Sequence, residues 1–209
     1  FIFIHLLSNL NLYSQCSVTA NSSQTICSGT SPTNITLSEN AGTIQWQVST
    51  DNSNFTNIPN ATTSSLTSSQ MGNLTVTSYY RAAVSCDSTL AYSSAVTVTV
   101  IPTSVAGTVS GIQTICSGTS PANITLTGNI GTIQWQVSTD NITFTNITGA
   151  TASSLLSSQM GNLSATRHYR AVVTSGVCPS INSSAVTITV SPTSVAGTVS
   201  GIQTICSGT

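Results

Sequence analysis

Along most of the chain, apolar and polar residues alternate one by one. In TIQWQVS, at 43–49 and again at 132–138, Ile, Trp and Val fall on one face and Thr and Gln on the other. YYRAAV (79–84), HYRAVV (168–173), AVTVTV (95–100) and AVTITV (185–190) keep the same period of two. That period predicts half-buried strands, and no stretch sustains the 3.6-residue period of a helix. Thr-Asp-Asn after each TIQWQVS, followed by Phe55 or Phe144, predicts a hairpin turn into the next strand. Pro102 and Pro192 follow the last strand of each series and mark boundaries. The segment 64–74 (SSLTSSQMGNL) is ambiguous; it fits a short strand and a turn, with Leu66, Met71 and Leu74 as core plugs. The alternation places Trp46, Val48, Tyr80, Ala82, Val84, Val96, Val98 and Val100 in one core. Their counterparts, Trp135 and Tyr169 among them, fall in a second.

The pattern occurs twice. Trp46 and Trp135 are 89 residues apart, as are Met71 and Met160, and Tyr80 and Tyr169, while Pro102 and Pro192 are 90 apart. A unit of about 90 residues is too long for a solenoid repeat and suits an independent β-sandwich. The reading is therefore all-β, with repeat 1 at 16–101, repeat 2 at 102–191 and the truncated start of a third at 192–209. The last segment duplicates 102–119 residue for residue, which leads us to expect a fragment of a longer protein. Residues 1–15 (FIFIHLLSNLNLYSQ) turn from apolar to polar and read as the remnant of a secretory signal peptide, with a buried first strand as the alternative. They are too few for a transmembrane helix.

Composition narrows the function. Charged residues are 3% of the 209, with no lysine, 3 Lys+Arg, 4 Asp+Glu and a net charge of -1. An ordinary domain carries about 25%. No basic patch exists to neutralise phosphates, so nucleic acid is not an expected partner. Acid–base or metal catalysis has almost no side chains to draw on, so we expect no enzyme activity, no cofactor and no metal site. No Cys/His spacing suits zinc. Six cysteines in so uncharged a chain point to an oxidising, extracellular setting. Pairing Cys27 with Cys86 and Cys116 with Cys178, each within its repeat, is the economical scheme, leaving Cys16 and Cys206 over. A rival pairs Cys86 with Cys116, Cys178 with Cys206 and Cys16 with Cys27. It is disfavoured because the last strand carries the chain away between those cysteines.

Few residues invite a chemical role. Asp51 and Asp140 in Ser-Thr-Asp-Asn could form an Asp-box or hold a cation, but that motif's Gly and Trp are missing, so both read as turn residues. Arg81 and Arg170 recur in a chain nearly free of cations. They are expected to stack on Trp46 and Trp135 or to pair with Asp51 and Asp140, in preference to contacting a ligand. His168 and Arg167 occur in repeat 2 only and read as surface residues. Asn-X-Ser/Thr sequences, such as those at Asn34, Asn73, Asn123 and Asn162, arise by chance in a chain one-third Ser and Thr. Asp87-Ser88-Thr89 loosely fits an O-glycosylation pattern.

Taken in order, Cys-Ser-Gly-Thr-Ser-Pro, Asn-Ile-Thr-Leu, Gln-Trp-Gln-Val-Ser-Thr-Asp, Tyr-Arg-Ala, Cys and Ser-Ser-Ala-Val-Thr-Val-Thr-Val are similar to a known set. The series resembles the tandem immunoglobulin-like or PKD-like repeats of bacterial surface and gliding adhesins, over residues 24–101 and 113–191. The resemblance implies immunoglobulin-like sandwiches in an extracellular stalk that carries a binding tip away from the cell. Its partners would be surface polysaccharide or other cells, reached through regions outside these residues. The alternative is a carbohydrate-binding or accessory module of a secreted enzyme.

Overall fold

The computed structural model describes residues 18–38, 42–86, 89–204 and 207–208. The signal-peptide reading of 1–15, Cys16, Cys206 and Asp87-Ser88 of the glycosylation pattern fall outside them. The chain divides into two units. Unit 1 is Phe1–Ser104 with Ser175–Pro179, and unit 2 is Val105–Thr174 with Ser180–Thr209.

In unit 1 the elements are β1 (Ala20–Asn21), β2 (Gln24–Cys27), β3 (Ile35–Leu37), β4 (Thr43–Ser49), β5 (Thr56–Asn57) and β6 (Ser65–Leu66). They continue with the one-turn helix α1 (Ser68–Met71), β7 (Ser78–Cys86), β8 (Thr89–Tyr92) and β9 (Val96–Ile101). One sheet has the order β1-β3-β6 and the other β2-β9-β7-β4-β5, with β8 extending the β7 hairpin. All pairings are antiparallel except that of β2 with β9, where Cys27 lies opposite Ile101. This is the layout of an immunoglobulin-like sandwich, with a buried Trp on the interior strand β4.

Unit 2 repeats it with β10 (Thr108–Ser110), β11 (Gln113–Cys116), β12 (Ile124–Thr127), β13 (Thr132–Ser138), β14 (Thr145–Asn146) and β15 (Ser154–Leu155). Then come α2 (Ser157–Met160), β16 (Arg167–Thr174), β17 (Ile181–Asn182) and β18 (Val186–Ser191). The sheets are β10-β12-β15 and β11-β18-β16-β13-β14.

Each unit has its own core. In unit 1, Ile35, Trp46, Leu66, Tyr80, Val84 and Val98 are buried. In unit 2, Ile124, Trp135, Leu155, Tyr169, Val173 and Ile188 fill the same places. Val48 and Val100 are only half-buried. The ambiguous segment 64–74 holds β6 and a helical turn. Thr67 caps that turn through a box in which Gln70 N–H donates to Thr67 Oγ1 and Thr67 N–H donates to Gln70 Oε1. The Ser-Ser before each last strand is structural too. Buried Ser93 Oγ accepts from Ala82 N–H at 2.9 Å and donates to the Ser94 carbonyl at 3.0 Å, and Ser183 repeats this with Ala171 and Ser184. Among the described residues, no buried side-chain nitrogen or oxygen lacks a hydrogen-bond partner.

The cysteine pairing differs from both schemes read from the sequence. Cys27 is bonded to Cys178, 151 positions on, with Cα atoms 5.1 Å apart. Cys86 is also disulfide-bonded, and Cys116 is a free, exposed thiol. Strand direction explains why Cys27 does not meet Cys86. The parallel pairing sets Cys27 beside Ile101, at the far end of β9. Strand β7 runs antiparallel to β9, with Tyr80 opposite Val96, so Cys86 points towards the other end of the unit. At about 3.3 Å per residue, roughly 35 Å of strand separates them, whereas a disulfide needs Cα atoms within about 7 Å. The same directions in unit 2 set Cys116, opposite Ser191, apart from the end of β16 that leads to Cys178.

Candidate functional site

The Gln-Trp-Gln motif builds two surfaces at once. Trp46 and Trp135 point inward, and their ring N–H groups donate to the carbonyls of Thr63 and Ala152 at 2.9 Å. The glutamines point outward. Gln45 donates to the Trp46 and Ile58 carbonyls, tying the hairpin below. Gln47 accepts from Arg81 Nε at 2.9 Å and donates to Asn57 Oδ1 at 2.9 Å. The Arg81 guanidinium lies between Phe55 and Tyr92, 4.0 and 4.1 Å from the ring centroids. Arg170 repeats the bond to Gln136 and stacks on Phe144 at 4.0 Å.

Stacking on Trp46 or Trp135 and pairing with Asp51 or Asp140, as read from the sequence, therefore do not occur. Arg81 lies opposite Gln47, one residue out of phase with Trp46, and so faces away from the core. Exposed cation–π contacts contribute about 0.5–1 kcal/mol each. Arg81→Ala should thus destabilise unit 1 by about 1–2 kcal/mol, while Arg170→Ala, which loses one ring, costs unit 2 about half as much. Urea midpoints of the two variants, and of Tyr92→Ala combined with Arg81→Ala, check the difference.

The aspartates are turn residues. Asp51 Oδ1 accepts from the N–H groups of Ser53 and Asn54 at 2.8 Å and from Ser49 Oγ at 2.7 Å, and Oδ2 accepts from Asn54 Nδ2 at 2.7 Å. Asp140 accepts from Ile142 N–H, Thr143 N–H and Ser138 Oγ. The Asn54 backbone N–H, then its side chain, and Ser49 and Ser53 hold Asp51 well below the ordinary aspartate value of 3.8. The Ile142 N–H, Ser138 and Thr143 do the same for Asp140. A carboxylate whose pKa is lowered by folding adds stability that is fully present above the unfolded value and fades as pH falls below it. Stability should therefore be level from neutral pH to about pH 5 and decline only under stronger acid. Thermal melts of Asp51→Asn with Asp140→Asn should show that acid slope flattened.

A cleft opens at the rim of each sandwich, between the β4–β5 or β13–β14 hairpin and the one-turn helix. In unit 2 it measures about 640 Å³, with Asn146, Gln159, Met160, Asn162, Arg167 and Tyr169 among its walls. In unit 1 the same place holds about 240 Å³, and Ser78 stands where unit 2 has Arg167. Burial pushes both phenols, Tyr80 and Tyr169, above their ordinary values, opposed by a hydrogen bond with Ser78 in the first and the Arg167 charge in the second. Amides, hydroxyls, one guanidinium and a phenol can recognise a neutral or anionic polyhydroxyl compound by hydrogen bonding. Sequence reading missed this cleft because its walls come from three separated segments.

The remaining candidates serve the fold. His168 Nδ1 lies 3.0 Å from Thr187 Oγ1 on the neighbouring strand. Asn34 Oδ1 and Asn123 Oδ1 accept from Ser68 and Ser157 N–H at 2.8 Å, at the starts of α1 and α2. Asn73 and Asn162 accept from Ser31 and Ser120 hydroxyls. The recurring Asn-X-Ser/Thr sequences thus hold loops to helical turns. Among the described residues, no group of three His, Cys, Asp or Glu could hold a metal, and no helix is long and apolar enough to cross a membrane.

Two sandwiches of one strand layout, each with a Trp-centred core and an arginine stacked on its outer face, define a tandem of immunoglobulin-like modules. The chain belongs to the family described as "Domain of unknown function (DUF8696)", which matches it twice, at residues 16–102 and 105–192. Among solved structures it is similar to the four N-terminal immunoglobulin domains of Dscam1 isoform 6.9. The identity is 12% and the TM-score 0.39, over 84% of this chain and 46% of that one. The chain thus spans about half the length of that solved chain. No curated protein matches it.

Proposed function

We propose that the tandem is a non-enzymatic spacer in the stalk of a large, extracellular bacterial surface adhesin of the gliding type. The observation that carries this reading is the Cys27–Cys178 bond, which closes most of the two repeats into one covalent loop. A force applied outside that loop passes through the two sulfurs, so the chain between them cannot be drawn out while the bond lasts. That suits an element that must keep its length under load. The oxidised cysteines, the sparse charge and the resemblance to adhesin repeats support the extracellular setting. With few charges to screen, such a stalk should also keep its stability across ionic strengths.

Single-molecule pulling from the two ends tests the mechanical part. With the bond closed, the extension should lack the 151-residue loop. Adding a reductant should release roughly 500 Å more. Equal extension in both conditions would refute it. Antibody labelling of intact source cells, with and without surface proteolysis, tests the location.

The cleft of unit 2 favours a second reading, binding of a polysaccharide. It is larger in volume than its counterpart and carries Arg167. A glycan array probed with the chain and with Arg167→Ser decides between them: signal lost in the variant supports binding, and no signal from either leaves the spacer.

A further inference from the structure

Cys27 and Cys116 sit in the same cradle. Cys27 ends β2 opposite Ile101, Ser28 N–H donates to the Ile101 carbonyl at 2.9 Å, and Thr30 Oγ1 donates to the Cys27 carbonyl at 2.6 Å. Cys116 ends β11 opposite Ser191, Ser117 N–H donates to the Ser191 carbonyl at 2.9 Å, and Thr119 Oγ1 donates to the Cys116 carbonyl at 2.7 Å. The register and partners coincide, yet Cys27 is bonded and Cys116 is free and exposed.

The first cradle shows what it accepts. The loop Ser175–Pro179 belongs to unit 1, although by sequence it lies in repeat 2. Besides the disulfide, Ser175 N–H donates to Ser104 Oγ at 2.9 Å, and Cys178 Sγ lies 3.3 Å from the Pro102 carbonyl oxygen. Gly176 has a φ of +47°, and a Cβ there would meet Ile101 Cδ1 at 2.6 Å, so glycine allows both the left-handed turn and the close approach. The seat of this loop is the sequence Pro102-Thr103-Ser104. That sequence recurs after β18 as Pro192-Thr193-Ser194, with Pro192 and Ser194 exposed, and it opens the segment 192–209 that duplicates 102–119. Ser191 stands in place of Ile101, which gives the incoming loop more room.

We infer that Cys116, with Pro192 and Ser194, is a socket for the Ser-Gly-Val-Cys loop of a copy of this repeat that follows repeat 2 in sequence, and that a disulfide closes it. Successive modules would then be joined by overlapping covalent loops. The inference deepens the spacer reading. The pulling experiment reads the Cys27–Cys178 bond, whereas the test below reads Cys116, so the two can fail separately.

Closure needs an oxidant, here a small-molecule disulfide such as glutathione disulfide. The Cys116 thiolate attacks it, forming a mixed disulfide and releasing one glutathione. The thiolate of the loop then displaces the second. Two protein thiols are oxidised, and one glutathione disulfide is reduced to two glutathione molecules.

Because 192–209 already duplicates 102–119, extending the chain after Thr209 with a second copy of residues 120–191 completes a third repeat. Peptide mapping without reductant, after folding with glutathione and its disulfide, should show Cys116 bonded to the Ser-Gly-Val-Cys cysteine of the added copy. Recovery of Cys116 as an alkylated thiol, or bonded to any other cysteine or to a second chain, would overturn the inference. A measurement on the unextended chain covers the case in which the added repeat misfolds. A peptide of residues 173–181, its cysteine activated as a glutathione mixed disulfide, should attach to Cys116 at least about tenfold faster than a scrambled peptide of the same composition. Equal rates would also overturn it.

Discussion

Trp135→Ala should unfold unit 2 under conditions where unit 1 stays folded. The Trp135 side chain is fully buried beside Ile124, Leu155 and Val173. Truncating a Trp in a core costs about 3–5 kcal/mol, the sum of lost transfer free energy and the cavity left behind. The hydrogen bond to Ala152 adds little, because Ala152 is exposed and water can replace the indole. A whole domain has about 5–15 kcal/mol, and one of this size is at the lower end. Each kcal/mol shifts the midpoint of a domain this small by about 4–8 °C, so the melting of unit 2 should drop by more than ~12 °C. The chain has 2 tryptophans, one per core, and the two cores share no residue. Trp46 emission in the variant therefore reports unit 1 alone and should keep its midpoint, while amide exchange in β13 and β16 speeds up. The mirror variant, Trp46→Ala, should do the reverse. A joint shift of both transitions would mean that the cores are coupled.

What the sequence made legible was the part set by local alternation. Trp46, Tyr80, Trp135 and Tyr169 sit where a period of two places them, and Asp51 caps the turn that Ser-Thr-Asp-Asn foretells. What it concealed depends on strands distant in the chain. Nothing in Gln-Thr-Ile-Cys announces that β2 runs parallel to β9, yet that single pairing sends Cys27 to the end of the unit opposite Cys86. Arg81 was recognisable as a residue with a repeated task. Its partners were not, because Phe55 and Tyr92 come from an adjacent hairpin on one side and an added strand on the other. The rim clefts escaped for the same reason, and so did their difference, which includes an Arg167 where repeat 1 has Ser78.

Cys27→Ser should cost far more stability than Cys116→Ser. The Cys27–Cys178 bond closes a loop of 151 residues, and the chain-entropy relation assigns such a loop about 5 kcal/mol against complete unfolding. The gain is smaller when unit 2 stays folded, because the loop then has fewer residues to disorder. Cys27→Ser or Cys178→Ser should therefore lower the last unfolding transition in guanidinium by several kcal/mol. Cys116→Ser, an exposed thiol exchanged for a hydroxyl, should change it by less than about 0.5 kcal/mol. Pairing within each repeat would make the Cys27 and Cys116 variants equally damaging, so their contrast in one denaturation series tests the connectivity directly. Reducing the wild-type chain should lower its last transition at least as far as Cys27→Ser does, since Cys86 is disulfide-bonded as well. If Cys116→Ser matched that loss, Cys116 would be holding a bond in solution, and the covalent frame described above would be wrong.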